Sequence, residues 1–299
     1  MTLTGLHILL TYRCIFRCEH CFVWGSPEQQ GVFSRAQVEQ VLDQAGDLGG
    51  IEWVFFEGGE PFLYYPILVE AVRAAAGRGF RVGVVTNGYW ATTPDDARTW
   101  LEPMAGHLQS LSASSDELHY GERRSAEAQN LLEACRALGI PADLIECAPP
   151  PGGRPAGREE ALPDGVPIMY RGRATEALAG RVAPQPWEAF DECPHETLAE
   201  PERVHLDPLG HLHLCQGLVF GNLFADPLRE IVRAYRPAEH PIVGPLLRGG
   251  PAELVRAYAL PHQPAYADAC HLCFSARRAL RERFPAALGP DAMYGEAEA

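Results

Sequence analysis

His7-Ile8-Leu9-Leu10-Thr11-Tyr12-Arg13-Cys14-Ile15-Phe16-Arg17-Cys18-Glu19-His20-Cys21 is the stretch on which the fold turns. Its apolar, β-prone opening reads as a strand over 7–11, and a loop follows at once. That loop carries Cys14, Cys18 and Cys21 at C-x3-C-x2-C spacing. A loop at the C-terminal end of a strand is where parallel barrels place their chemistry. Three thiolates on one short loop can each hold a different iron of a [4Fe–4S] cube and leave the fourth iron open to a small molecule. The spacing alone leaves a second reading open, a closed zinc site with His20 as fourth ligand.

Outward from this strand, β-rich runs alternate with amphipathic helices. Strands are expected at 7–11, 53–56, 82–85, 109–113, 143–146 and 166–169, and helices at 34–48, 66–77, 94–104 and 126–138. On the first helix Val38, Val41, Leu42 and Ala45 mark one apolar face. Strand and helix in alternation mean parallel β/α units, and this number of them favours a partial (β/α)6 barrel over a complete eightfold one. The Pro- and Gly-rich segment 149–165 cannot hold a helix and is expected to be a loop, over the barrel mouth.

Beyond Trp187 the rhythm changes. A hairpin is expected from 203–206 and 212–214 around Pro208-Leu209-Gly210, then helices at 227–236 and 252–259. The expected division is a barrel over 1–185, a smaller α+β iron–sulfur domain over 186–285 and a C-terminal tail over 286–299, whose acidic end Gly295–Ala299 is expected to fray.

The strand ends carry the other candidate residues. Gly58 and Gly59 let the backbone approach a ligand, while Glu60 can accept a charge-assisted hydrogen bond from an ammonium and Pro61 opens the next helix. Thr86 and Asn87 end the third strand, and Ser112, Ser114 and Asp116 the fourth. Each is equally readable as a turn cap. His119 and Tyr120 are candidates for a proton relay or for a solvent-facing helix start. Cys147 closes the fifth strand, where it can face the mouth as a hydrogen donor, whereas Cys135 on its helix reads as core. Arg171-Gly172-Arg173 suits a carboxylate or phosphate, or is simply exposed charge.

The cysteine loop after strand one, with Gly58-Gly59-Glu60-Pro61 after strand two, resembles the radical S-adenosylmethionine superfamily over roughly the first 180 residues. That family usually has an aromatic residue where this chain has His20. The resemblance implies that Cys14, Cys18 and Cys21 hold a [4Fe–4S] cluster and that Gly58 to Pro61 receive the amino group of S-adenosylmethionine. It places Thr86, Asn87, Ser112, Ser114, Asp116 and Arg173 around the rest of that cofactor. It also implies reductive cleavage to methionine and a 5′-deoxyadenosyl radical, which abstracts hydrogen from an unactivated carbon.

Cys193, then Gly210-x4-Cys215, then the C-x2-C pair Cys270 and Cys273 resemble the auxiliary-cluster domain called twitch, a relative of SPASM. The implication is a second [4Fe–4S] cluster with all four irons ligated. A four-cysteine zinc site, or His271 or His195 in place of one cysteine, stays open on the residues alone.

Nine cysteines, three of them within eight positions, argue for metal ligation over a disulfide scaffold, and no apolar run is long enough to span a membrane. A cytoplasmic location is expected. The formal charge of −14 disfavours nucleic acid as partner. The expected partners are a small-molecule or peptide substrate and an electron donor such as flavodoxin or ferredoxin. The expected chemistry is a net oxidation of a small natural product or peptide. A peptide-modifying maturase, of the ribosomal-peptide or sulfatase type, is the nearest alternative, and few residues precede the first strand to serve as a peptide-recognition domain. The rival of another class is a non-catalytic zinc or iron–sulfur electron carrier.

Overall fold

The computed structural model describes residues 1–148 and 166–296, so the expected loop 149–165 lies outside the described residues. The first half runs β1 (Gly5–Thr11), α1 (Arg35–Leu48), β2 (Trp53–Gly58), α2 (Tyr65–Gly77), β3 (Arg81–Thr86), α3 (Pro94–Leu101), β4 (Ser110–Ser114), α4 (Glu117–Tyr120), α5 (Ala126–Leu138) and β5 (Ala142–Ile145). Short pairings and turns follow: β6 (Cys147–Ala148), β7 (Val166–Pro167), α6 (Ala174–Ala177) and β8 (Gln185–Pro186). The remainder is β9 (Arg203–Leu206), β10 (His211–Cys215), β11 (Leu218–Asn222), α7 (Leu228–Ala234), α8 (Val243–Tyr258), β12 (Ala265–Tyr266) and α9 (Ala269–Ala279).

One eight-stranded sheet organises the chain, in the order β11-β10-β9-β1-β2-β3-β4-β5. Strands β9 and β1 to β5 are mutually parallel, and β10 and β11 return antiparallel. This is an α/β fold with a mostly parallel, open sheet. Alternation along each strand divides its two faces. Leu6, Ile8 and Leu10 of β1, Val54 and Phe56 of β2 and Val82 and Val84 of β3 are buried in the main core. The other face carries polar and aromatic groups: His7 stacks on Phe55 at 4.7 Å, Phe55 on Trp53 at 5.3 Å, and Arg81 lies over Trp53 at 4.1 Å.

Helix α1 shows why the local readings succeed. Ser34 caps it by accepting from the Gln37 amide, the Gln37 side chain accepts from the Ser34 amide, and Val38, Val41, Leu42 and Ala45 are its buried residues. Burying those four side chains on the sheet contributes far more than the cap, at roughly 25 cal/mol per Å² of apolar surface.

Several expectations are corrected. Residues 166–169 do not form a sixth barrel strand: only Val166 and Pro167 pair, with β6, in a separate two-stranded ladder. Pro167 has no N–H to give to a longer ladder. The sixth parallel strand is instead β9, on the opposite edge against β1. The hairpin expected to open a second domain therefore extends the first domain's sheet, and its turn is closed by the buried Asp207, which accepts from the Leu209 and His211 amides and from the Tyr12 hydroxyl at 2.7 Å.

The C-terminal tail packs against the rest of the chain up to Tyr294, and Gly295 and Glu296 beyond it are exposed. Ala287, Leu288, Ala292, Met293 and Tyr294 are buried, Leu288 bridges to Leu218, and the Tyr294 hydroxyl donates to the Gly217 carbonyl at 2.9 Å. Its apolar side chains outweigh the acidic end, of which 297–299 lie outside the described residues. Finally, α8 begins at Val243, nine residues before the expected 252, and Gly249-Gly250-Pro251 kinks it instead of preceding it. At Gly250, with φ +60, a Cβ would lie 2.2 Å from the Glu192 amide nitrogen, so the bend lets α8 approach the backbone just before Cys193. Among the described residues no helix is long and apolar enough to cross a membrane.

Candidate active site

Cys14, Cys18 and Cys21 border one cavity of about 220 Å³ at the C-terminal ends of the parallel strands, shared with Gly58, Gly59 and Asn87. The sulfurs meet donors: the Phe16 amide approaches Cys14 Sγ at 3.4 Å, Asn87 Nδ2 the same sulfur at 3.6 Å, and the Gly25 amide Cys21 Sγ at 3.2 Å. Burial pushes the Cys14 thiol up to about 12 and the Cys18 thiol further, with the neighbouring cysteines adding to it. Such thiols stay protonated until a metal displaces the proton.

The glycines of β2 are fixed by close packing. A Cβ on Gly59 would lie 2.1 Å from the Arg13 carbonyl oxygen, and one on Gly58, at φ +129, 2.4 Å from that of Thr11. These positions seat the cysteine loop directly on the end of β2. Glu60 corrects the expectation of a carboxylate facing the cofactor. It is fully buried and turned into the protein, where Oε1 accepts from the Phe62 amide and the Thr86 hydroxyl, both at 2.9 Å, and Oε2 from the Asn87 amide at 2.8 Å. Burial pushes its carboxyl up to about 7 against those three donors. Glu60 ties the end of β2 to the end of β3, and it is Gly58 and Gly59 that reach the cavity.

A variant separates the two roles. Glu60→Ala leaves three buried donors without an acceptor, at about 1–3 kcal/mol each. A large fall in the midpoint of denaturant unfolding is expected, with part recovered in Glu60→Gln. An unchanged midpoint with weakened S-adenosylmethionine binding would return Glu60 to the ligand.

Among the remaining strand-end residues, Pro61 starts a buried 3-10 turn, Pro61–Tyr64. Thr86 is spent on Glu60 and Trp90, and Ser112 donates to Asp143 at 2.7 Å. Asn87 and Ser114 line the cavity. Asp116 is a buried cap that accepts from the Leu118, His119 and Cys147 amides, with His119 Nδ1 at 2.9 Å and His20 Nε2 at 3.9 Å. His20, His119 and Cys147 reach the cavity around it. His20 therefore groups with Asp116 and Cys147 and not with the cysteine triad as a fourth ligand. Tyr120 is structural: its hydroxyl donates to the Asn87 carbonyl at 2.6 Å and its ring meets Phe16 edge-on. Cys135 is core, as expected.

Arg171-Gly172-Arg173 is neither exposed charge nor an open anion site. Arg173 donates to the Cys18 carbonyl at 2.7 Å and the Gly25 carbonyl at 2.9 Å, which corrects its assignment to the cofactor. Gly172, at φ +58, leaves no room for a Cβ, which would lie 2.6 Å from the Cys21 carbonyl oxygen. Arg171 is buried, lies over the Phe22 ring at 5.7 Å, and donates to Glu196 at 3.1 Å and to Cys215 Sγ at 3.3 Å. One short run thus holds the first cysteine loop and touches the second cysteine set.

Cys193, Cys215, Cys270 and Cys273 border a common cavity with Arg171 and Arg277. The C-x2-C pair sits in the opening turns of α9, which is capped by Asp268. Burial pushes the Cys193, Cys270 and Cys273 thiols up, Cys273 to about 12, and neighbouring cysteines add to it. Buried Arg277 donates to the Gln216 carbonyl at 2.6 Å beside them. Among the described residues, neither set brings three sulfurs within 4.8 Å of one another. A zinc tetrahedron with bonds of ~2.3 Å would set them ~3.8 Å apart.

Sequence reading missed Glu57, His7 and His205, whose polar atoms meet beneath the cavity. A period-two reading finds them: in Leu6-His7-Ile8 and Val204-His205-Leu206 each histidine points away from the apolar core.

Residues 8–148 match the model of the Radical SAM superfamily, so this segment is a radical SAM domain. YydG of Bacillus subtilis (strain 168), which is named for peptide biosynthesis, is 25% identical over 130 residues, 43% of this chain and 41% of that protein. The S-adenosylmethionine-dependent nucleotide dehydratase of Thermoplasmatales archaeon (strain ISO4-H5) is 27% identical over 129 residues, 40% of this chain and 43% of that protein. The chain spans less than half the length of these relatives. The solved structure of native anSMEcpe with bound AdoMet superposes with a TM-score of 0.49 at 11% identity, over 94% of this chain and 97% of that one. A radical SAM domain implies S-adenosylmethionine and a [4Fe–4S] cluster. The residues fit: three thiols, two of them with N–H donors on the sulfur, share a cavity with backbone that only glycine can supply there.

Proposed function

We propose that this chain is a radical SAM enzyme that abstracts hydrogen from an unactivated C–H bond of a small molecule or peptide, in a net oxidation. The observation that carries the reading is the convergence of Cys14, Cys18 and Cys21 with Gly58 and Gly59 on one cavity inside the matched segment. When bound, the cluster and S-adenosylmethionine supply one-electron cleavage to methionine and a 5′-deoxyadenosyl radical.

The chain's own residues bind and orient. Cys14, Cys18 and Cys21 would hold the cluster, and Gly58 and Gly59 would offer backbone to the amino-acid end of S-adenosylmethionine. Asn87 holds Cys14 through its amide and, with Ser114, supplies polar groups at the wall. Asp116, fixed by three amides, holds the His119 ring at Nδ1, so that a proton can rest on that nitrogen.

Cys193, Cys215, Cys270 and Cys273 are proposed to hold a second, fully ligated [4Fe–4S] cluster of twitch or SPASM type. Sulfur spacing too wide for zinc supports this, as do the two buried guanidiniums of Arg171 and Arg277, which offset the charge of an anionic cluster. A cluster held by these four cysteines would supply a one-electron acceptor for a substrate that has lost a hydrogen atom and then loses an electron and a proton. Flavodoxin or ferredoxin is the proposed donor to the first cluster. The name of YydG supports a peptide as the second reading of the substrate.

The test is anaerobic reconstitution. About eight irons per chain and reductant-dependent 5′-deoxyadenosine are expected. Stoichiometric zinc, or reduced protein that leaves S-adenosylmethionine intact, would make the chain a metal or electron-carrier protein instead.

A further inference from the structure

We infer that His7, Glu57 and His205 form a site for a divalent transition-metal ion, separate from both cysteine sets. The three residues come from adjacent parallel strands, β2, β1 and β9, and the register places His7 directly opposite His205. Their ligand atoms all lie within 4.8 Å of one another. His7 Nδ1 is 3.4 Å from Glu57 Oε2, and His205 Nε2 is 3.2 Å from Glu57 Oε1. Ligands about 2.1 Å from one ion are spaced at ~3.0 Å for neighbouring octahedral positions and ~3.4 Å for tetrahedral ones.

Orientation separates this from an ordinary ion pair. His7 Nδ1 and Glu57 Oε1 are buried without a well-aligned hydrogen bond, although the two histidines, against the cost of burial, hold the Glu57 carboxyl well below the usual carboxylate range. An ion seated among the three groups would satisfy both atoms at once. Buried polar atoms left in this way are otherwise costly. The surroundings are rigid: His7 is stacked on Phe55, and Phe22 of the cysteine loop meets His205 edge-on at 6.4 Å.

Two histidines and one carboxylate suit iron(II), cobalt(II) or zinc(II) and leave coordination positions for other oxygen donors. Glu57 lines the cavity bordered by Cys14, Cys18 and Cys21, while neither histidine does. The ion would therefore lie behind the cavity wall and reach the substrate space on the Glu57 side, where an oxygen-bearing substrate group could complete its shell.

The probe is cobalt(II) alone, titrated into reconstituted protein by equilibrium dialysis, with wild type compared with Glu57→Gln and His205→Ala. All three have the same cysteines, so the difference between them reports this site whatever the cysteines hold. Wild type is expected to take up one more equivalent than either variant. Binding should weaken by more than the roughly 10–100-fold that loss of a mere supporting partner costs. Pulsed EPR of the bound ion should show imidazole nitrogen coupling. Should Glu57→Gln fail to fold, His205→Ala carries the comparison and His7→Ala replaces the lost variant. Equal uptake by wild type and variants, or bound cobalt without nitrogen coupling, would overturn the site and leave a polar cluster without an ion.

Discussion

Replacing Cys14, Cys18 and Cys21 together with alanine is expected to abolish 5′-deoxyadenosine formation and to remove about half of the iron and sulfide, leaving a second cluster in place. The three sulfurs are the only cysteine sulfurs on the cavity wall besides Cys147, among the described residues. Cys147 cannot substitute for them, because it stands with Asp116 and His20. The loop itself should keep its shape, since Arg173 donates to the Cys18 and Gly25 carbonyls and the Gly59 and Glu60 amides donate to the Thr11 and Arg13 carbonyls, none of which needs a thiol. Iron and sulfide analysis with chromatographic detection of 5′-deoxyadenosine checks this. Cleavage that persists in the triple variant would move the catalytic iron elsewhere.

Cys273→Ala should give the converse pattern. It opens the second set in the opening turns of α9, where a metal's binding energy is also folding energy for the joined segments. The expected loss is again about half of the iron, now with dithionite-driven cleavage of S-adenosylmethionine retained and a lower unfolding midpoint. A chemical reductant reaches the first cluster without the second, so cleavage tests their independence. Complete loss of cleavage with the first cluster intact would mean that the sites work as one unit through Arg171-Gly172-Arg173. That run makes some coupling expected, because Arg171 bonds Cys215 while Gly172 and Arg173 seat the first loop.

What sequence made legible was local. The strand before Cys14, the Ser34 cap and the apolar stripe of α1 are set by neighbours within a few positions, and they appear where expected. Other features depended on pairing between distant strands. Nothing within Arg203–Leu206 says that it lies parallel to β1, and nothing in His7 or His205 alone says that register places them opposite each other. Residue type also under-determined direction. Glu60 has the charge to meet an ammonium and Arg173 to meet a carboxylate, but both are satisfied inside the protein by backbone partners that only the folded loops bring near. A cavity-facing carboxylate does exist; it is Glu57, three positions earlier, on β2.

The pairing of β1 with β9 also sets an order of events during synthesis. The strand leading into the cysteine loop gains its outer neighbour from chain 198 residues further on, where Gly5 meets Arg203. Until that segment leaves the ribosome, β1 is an open edge, with unpaired amides and carbonyls available to any other strand. Contacts of such long range are slow to form. The first half therefore waits with a bare edge and a loop of buried-to-be thiols still accessible. In that interval the growing chain is most exposed to aggregation, and iron delivery to Cys14, Cys18 and Cys21 is least obstructed.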